Sequence, residues 1–419
     1  MRSVAKIINV TSYENVITLM RLDHPRGVSQ FINEIQKVIK NGYNNIKIIL
    51  KSTTTKIFPN AAVPIAGVID YYRQFNGVNF SIEGRDVCNI LTPTNYDFSI
   101  SNRILGKVIT FDKNDANRLS SVFISDLRKS DEFPVGLLNA LEWSINEVMD
   151  NVIQHSNSEY GFVMGQIHPK TKYIAFTIYD YGQGIFNSFR QTNIHNPRSA
   201  VDAITLAIKE EVTSDHTKGQ GNGLFGLHSI ISHGKGALTI TSDVGSFMYN
   251  GETNYTKTFD KIPILSKCNA ATIVDFKLNY SNDVSLGDAL AFRGKKYNFV
   301  NIDIEKLEDE RGNLIYSISN TSEGTGTREA AKRTFNEIIN LINESKKNII
   351  LDFSQVTIIS SSYADQLIAQ LLLRFGLFRF NKLIRLSGMN ETQEQILQRS
   401  VIQRLVREYT EGEQDESKE

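Results

Sequence analysis

Residues 137–155 read LLNALEWSINEVMDNVIQH. Leu138, Leu141, Ile145, Val148 and Val152 recur at helical spacing and predict a stripe that faces a core. Glu147, Asn151 and His155 stand four residues apart, so they step along another face with a drift of about 40° per interval. An exposed amphipathic helix can show the same polar spacing. Two glycine-bearing strings further along the chain give the stretch its meaning.

Residues 173–179 (YIAFTIY) alternate as a strand and run into Asp180-Tyr181-Gly182-Gln183-Gly184-Ile185. A carboxylate at a strand end can accept a hydrogen bond from the exocyclic amine of adenine, and glycines beside it let backbone approach a ring or a phosphate. Such strings also make simple turns. The second string, Gly219-Gln220-Gly221-Asn222-Gly223-Leu224-Phe225-Gly226-Leu227, opens the apolar run LHSIIS. Glycines at a helix N-terminus expose N–H groups to phosphate oxygens. Gly221, Gly223 and Gly226 also fit the GxGxxG of a dinucleotide fold, but the preceding EEVTSDHTKG is polar and no strand feeds the loop. The string lacks the Gly-Lys-Ser/Thr ending of a Walker A loop.

In this order the strings resemble the GHKL superfamily of gyrase, heat-shock chaperone and histidine kinase ATPases. Glu147-x-x-x-Asn151-x-x-x-His155 is similar to its N box, in the form typical of anti-sigma-factor serine kinases. Asp180-x-Gly182-x-Gly184 resembles the first glycine box, and residues 221–227 the second. Ala271-Thr272, before the strand IVDFKL, resembles the family's Gly-Thr pair, whose threonine helps bind adenine. Alanine replaces the glycine there, and an unusually long stretch, 247–269, precedes it. The resemblance implies a Bergerat ATP-binding domain over 107–280, an α/β sandwich. It implies that Asn151 ligates Mg²⁺, a hard cation that accepts amide oxygen, and that Glu147 is the general base. His155 would touch the phosphate lid or cap its own helix. Residues 186–220 would form that lid, with Lys218 near the phosphates.

Outward from this domain, both flanks alternate helix and strand. Residues 27–40 carry a stripe at Phe31, Ile35, Val38 and Ile39, stopped by Asn41-Gly42. A strand (46–50), an apolar helix (61–72) and a strand (78–82) come next. Residues 329–344, 348–353, 362–375 and 383–386 repeat that order, and Phe31 to Ile35 align with Phe335 to Ile338 to within one place. This reads as a weak internal repeat, although any helix-strand-helix unit would align similarly. After the strand at 349–353 come Ser354-Gln355-Val356-Thr357-Ile358-Ile359 and Ser360-Ser361-Ser362-Tyr363-Ala364. The pattern resembles STAS domains, the anti-sigma-factor antagonists, and more closely a STAS-like domain of unknown function found beside such ATPases. In the antagonists a serine at this helix start accepts phosphate; Ser362 matches by position, with Ser361 adjacent. Serines there are also ordinary N-caps, and Tyr363 replaces the usual glycine. The N-terminal copy has Pro59-Asn60-Ala61 and cannot accept phosphate there.

The expected fold is therefore multidomain α/β: a STAS-like domain at 1–106, the ATP-binding domain at 107–280, a second STAS-like domain at 281–409 and a disordered acidic tail at 410–419. Length supports two or three domains, and 46 basic against 46 acidic residues give no net field toward nucleic acid or a membrane. No apolar run is long enough for a membrane span. Cys88 and Cys268, the two cysteines, form neither a disulfide framework nor a zinc site. A cytoplasmic setting is expected, with ATP and protein partners as ligands and a homodimer as one expected assembly. Two functions compete: a protein-serine kinase or partner-switching regulator, and an ATP-gated switch with slow ATPase activity.

Overall fold

Helix α5 (Leu137–His155) forms where its apolar spacing predicts. The computed structural model describes residues 10–51, 57–84, 88–100, 103–192, 195–209, 212, 223–258, 270–281, 284, 289–290, 302–321 and 323–416. Two compact units result. One comprises Met1–Ser99, Ile104–Phe123 and Asn139–Tyr297; the other comprises Ile100–Arg103, Ile124–Leu138 and Asn298–Glu419.

The first unit opens with β1 (Val10–Tyr13), β2 (Val16–Leu19), α1 (Arg26–Lys40), β3 (Asn45–Leu50), α2 (Pro59–Asn76) and β4 (Asn79–Glu83). These strands form a sheet in the order β1-β2-β3-β4, antiparallel at the β1-β2 hairpin and parallel beyond it. Pro59 starts α2 with a preset φ, and Gly77 ends it in the left-handed region at φ 62°. Ala61, Ala62, Val63, Ile65, Ala66, Val68 and Ile69 are all buried, so α2 is apolar on nearly every side. Such a helix needs cover on two faces.

The second cover is the central sheet. After α3 (Cys88–Leu91) come β5 (Thr94–Asn95), β6 (Ile109–Phe111), α4 (Ala116–Ser130), α5, β7 (Gly161–His168) and β8 (Tyr173–Asp180). The chain continues through α6 (Gly184–Thr192), α7 (Ala200–Ala207), α8 (Gly223–His233), β9 (Ala237–Ser242), β10 (Gly245–Tyr249), β11 (Asn254–Thr258) and β12 (Thr272–Asn279). The eight strands order as β11-β10-β9-β12-β8-β7-β6-β5. The pleat of β8 separates its two faces. Phe176 packs edge-on to Phe123 of α4, with ring centroids 5.2 Å apart, whereas Tyr179 lies against Gly67 of α2. One hydrophobic cluster joins Ile17, Ile48 and Ile65 to Phe162, Met164, Tyr179 and Ile273. The boundary expected at 106 therefore crosses a continuous core, because α2 supplies the apolar surface that the back of the central sheet must bury.

The other unit holds α9 (Ile302–Glu305), β13 (Leu314–Ser317), α10 (Arg328–Ser345) and β14 (Ile349–Asp352). A longer helical segment is built from α11 (Ser361–Ala364), a π turn (Asp365–Ala369) and α12 (Gln370–Phe375). The unit ends with α13 (Leu377–Leu383), β15 (Ile384–Ser387) and α14 (Glu391–Glu416). Its parallel sheet runs β13-β14-β15. It also takes in Ile124–Leu138, the end of α4 and the loop into α5, which the expected boundary at 281 leaves out. The expected disordered tail is helical as far as Glu416. Its glutamates and glutamine favour helix and simply extend the packed part of α14.

Candidate ATP site

Glu147 and Asn151 occupy successive turns of α5, and the N-terminus of α8 lies directly against them. A Cβ on Gly223 would come 2.5 Å from Glu147 Oε2 and 3.4 Å from Asn151 Nδ2. A Cβ on Gly226 would come 2.2 Å from the Trp143 ring. The two glycines thus let α8 settle flush on α5, with the first turn of a helix beside the carboxylate and the amide. Asn151 Nδ2 is buried and lacks a hydrogen-bond partner among the described residues. Burial, assisted by the charge of Asp150, raises the Glu147 carboxyl to about 7.

The turn after β8 is fastened to the far end of the same helix. Gln183 N–H donates to Ser156 O at 2.7 Å, and Gln183 Nε2 donates to His155 O at 2.6 Å, so the turn satisfies carbonyls that α5 leaves open. A Cβ on Gly182 would lie 2.1 Å from Ser156 O. The sequence strings therefore co-occur for a mechanical reason: the DxGxG turn is the C-cap of the helix that carries Glu147, Asn151 and His155.

Asp180 ends β8, 4% exposed, and its Oδ1 accepts the Gly182 N–H at 2.8 Å. Burial pushes its carboxyl up to about 7, against the pull of that bond. Asp180 is the cross-strand partner of Thr272, and Thr272 is in turn that of Ser242. Ser242 Oγ lies 3.1 Å from Thr272 Oγ1 and accepts the Ile185 N–H at 2.9 Å. Gly184 has φ +73°, and a Cβ there would strike Ala270 O at 2.2 Å. Asp180, Gly182, Gly184 and Thr272 thus meet at one sheet end. Sequence reading missed Ser242; its signal was the last position of the alternating strand ALTITS, legible only once β9 is paired with β12. Lys218 and Gly221 lie outside the described residues.

The serine cluster belongs to the other unit. Ser360 is the N-cap of α11: its Oγ accepts the Tyr363 N–H at 3.0 Å. Ser362 Oγ is 3.0 Å from Ser360 Oγ and half-buried, while Ser361 is exposed. Tyr363 stands where a glycine was expected because its ring fills the core at 1% exposure, with its hydroxyl 3.2 Å from Thr334 Oγ1.

Residues 330–394 match the family model of a STAS-like domain of unknown function (DUF4325). No curated protein matches the chain. Among solved structures it is similar to the mycobacterial sensor histidine kinase MprB at 17% identity. That match covers 42% of this chain and 98% of that one, with a TM-score of 0.22. No helix among the described residues is long and apolar enough to cross a membrane. The chain thus carries a STAS-like domain at its C-terminal end, within a multidomain α/β architecture.

Proposed function

We propose that the chain is an ATP- and Mg²⁺-binding regulatory protein that acts as a protein-serine kinase of the anti-sigma-factor type. The observation that carries the reading is the packing of the α8 N-terminus onto Glu147 and Asn151, with a buried amide nitrogen that has no partner among the described residues. The residues fit the ligands. N–H groups of a helix start suit phosphate oxygens, and the Asn151 side-chain oxygen suits Mg²⁺. The Asp180 carboxylate suits an exocyclic amine, with Thr272 and Ser242 beside it. ATP, when bound, supplies the transferable phosphoryl group. Glu147, raised to about 7, can take a proton from an attacking hydroxyl or water near neutral pH. Burial behind α8 is what holds it in that range.

One observation favours the competing ATP-gated switch. Helix α10 of the STAS-like domain grips Ile124–Leu138, the segment that leads into α5: Asn340 Nδ2 donates to Arg128 O at 2.8 Å and Asp131 O at 2.7 Å, and Phe133 N–H donates to Asn340 Oδ1 at 2.9 Å. Ion pairs Arg333–Asp126 at 2.8 Å and Arg128–Glu344 at 3.1 Å flank this clasp. On that reading this segment would be the link between the nucleotide site and the STAS-like domain, and that domain would be the one that meets partners.

Incubation with γ-labelled ATP and Mg²⁺, read by mass spectrometry and by free phosphate, tests both readings. The kinase reading expects label on protein serine, lost in Glu147→Ala while nucleotide still binds. Hydrolysis without phosphoserine leaves the switch. Unchanged Mg²⁺-ATP affinity in Asn151→Ala, by calorimetry, removes this site from consideration.

A further inference from the structure

The turn that carries Asp180 is held from two sides. On the α5 side Gln183 is bonded to the carbonyls of Ser156 and His155. On the other side stands Tyr181, between Asp180 and Gly182. The pleat that points Tyr179 at α2 points Tyr181 there too, and turns Asp180 the opposite way. Tyr181 is 6% exposed, and its ring lies among those of Tyr71, Phe75, Tyr160 and Phe162, with centroids 5.7 to 5.9 Å away.

Its hydroxyl reaches a carboxylate of the N-terminal layer. Tyr181 OH donates to Asp70 Oδ2, on α2, at 3.1 Å, with Gln74 Oε1 as a second acceptor at 3.5 Å. The same carboxylate oxygen accepts Tyr160 OH at 2.5 Å and Gln74 Nε2 at 3.2 Å. Three donors on one oxygen clamp the half-buried Asp70, and bonds to a carboxylate are the strong kind. Burial first, then the bonds around Asp70, raise the Tyr160 hydroxyl to about 12 and that of Tyr181 well above its ordinary value, so both stay donors at neutral pH.

Asp180 and Gly182 are tied to each other across Tyr181, because Asp180 Oδ1 accepts the Gly182 N–H at 2.8 Å. A tilt of Tyr181 therefore turns both neighbours, and a carboxylate meets an amine within a narrow range of distance and angle. Apolar packing is non-directional, whereas a bond to a clamped carboxylate sets one tilt.

We propose that Asp70 is a positioning residue for the nucleotide site: through Tyr181 it sets the orientation of Asp180 toward the exocyclic amine of adenine, so that the N-terminal α/β layer takes part in base selection. The inference rests on the ATP-binding reading.

Equilibrium binding of Mg²⁺-ATP and of Mg²⁺-purine riboside triphosphate, which lacks the exocyclic amine, tests it on the full chain at pH 8, where Asp180 is ionised. The wild type should prefer ATP by about tenfold or more, the worth of one charge-assisted bond. Tyr181→Phe keeps the ring and removes only the hydroxyl. It and Asp70→Ala should each cut the preference by about threefold or more, and the double variant should be no worse than either alone, because both remove the same bond. Asp70→Asn, which keeps an acceptor oxygen, should recover part of the preference. Val63→Ala, a buried truncation on the same helix outside the network, should lower the urea midpoint and leave the preference intact. An unchanged preference in Tyr181→Phe, losses that add in the double variant, or an equal fall in Val63→Ala would each overturn the proposal. A wild type that binds both nucleotides equally would overturn it and leave ATP binding standing; one that binds neither would remove the ATP reading as well.

Discussion

The segments 16–83 and 314–387 share one design, a parallel strand-helix-strand-helix-strand run with sequential order, yet their helices bury opposite chemistry. In the N-terminal segment the second helix, α2, is apolar all round and has small residues where it meets the central sheet. In the C-terminal segment it is the first helix, α10, that docks on additional chain, and it does so with Asn336, Glu337 and Asn340, all nearly buried. A sheet face has spent its backbone groups on its own ladder and offers only side chains, so its partner is small and apolar. The segment 124–138 offers open carbonyls and an N–H, so its partner carries amides. The outer face of a helix thus records what it leans on, even when strand order is the same.

The largest effect should come from enlarging the contact of α2. A Cβ at Gly67 would sit 2.1 Å from the Tyr179 ring. Gly67→Val should therefore cost about 3 kcal/mol or more by overpacking, and Tyr179→Leu should recover part of it. In the C-terminal counterpart Leu373 is exposed, and Leu373→Gln should change stability by less than about 0.5 kcal/mol. Urea midpoints compare the two. Equal tolerance would show that α2 is not wedged between two sheets.

Breaking the polar clasp comes next. Asn340→Ala removes a partner from a buried carbonyl, a part-buried carbonyl and a buried N–H, which should cost about 2–3 kcal/mol. Asn340→Leu should be no better, since shape is not what the site lacks. If the switch reading holds, Asn340→Ala should also alter ATP turnover without touching the nucleotide site. Steady-state phosphate release measures this.

Buried acids give a smaller effect with a definite sign. In the unfolded chain Asp180 and Asp275 lose their protons near the ordinary value of about 4. In the fold burial holds Asp180 protonated to about 7 and Asp275, beneath α2 and bonded to Thr177 at 2.7 Å, to about 6. Between these values the unfolded chain binds fewer protons, so stability falls as pH rises from 4 and the loss is complete above 7. Asp180→Asn should remove its share, so that the variant gains on the wild type at pH 8 and not at pH 4. Nucleotide affinity should meanwhile be lost, and in the wild type should strengthen as pH rises through 7, because the accepting carboxylate must be ionised. Urea titrations at the two pH values, with calorimetry, separate the structural cost from the binding role.

Local periodicity made α5, β8 and the flanking helices and strands legible, and the resemblance of the ordered strings to a known family brought Glu147, Asn151, Asp180 and Thr272 together as candidates. What stayed hidden was long-range pairing. Nothing in ALTITS marks Ser242 until β9 lies beside β12. Nothing in the buried face of α2 says whether its second cover is a domain of its own or the central sheet. Asn340 looks like any polar helix residue until its backbone partners, more than two hundred residues away, are known.

The smallest effect concerns the serine cluster, where capping and acceptance of phosphate make different demands. Ser360 holds the cap bond to the Tyr363 N–H. Ser360→Ala should therefore lower stability by about 1 kcal/mol. Ser361 is exposed and makes no cap bond, so Ser361→Ala should be nearly silent in stability. Ser362, half-buried against Ser360, should fall between them. A phosphate would be favoured at this helix start by the helix dipole, and of the three serines only Ser361 presents its hydroxyl without first breaking a side-chain contact among the described residues. The expected pattern is phosphate at Ser361 in preference to Ser362, absent in Glu147→Ala, with Ser360→Ala costing stability but not labelling. Label confined to Ser362 would mean that the helix start opens before transfer, and the capped start would then belong to the unreactive form alone.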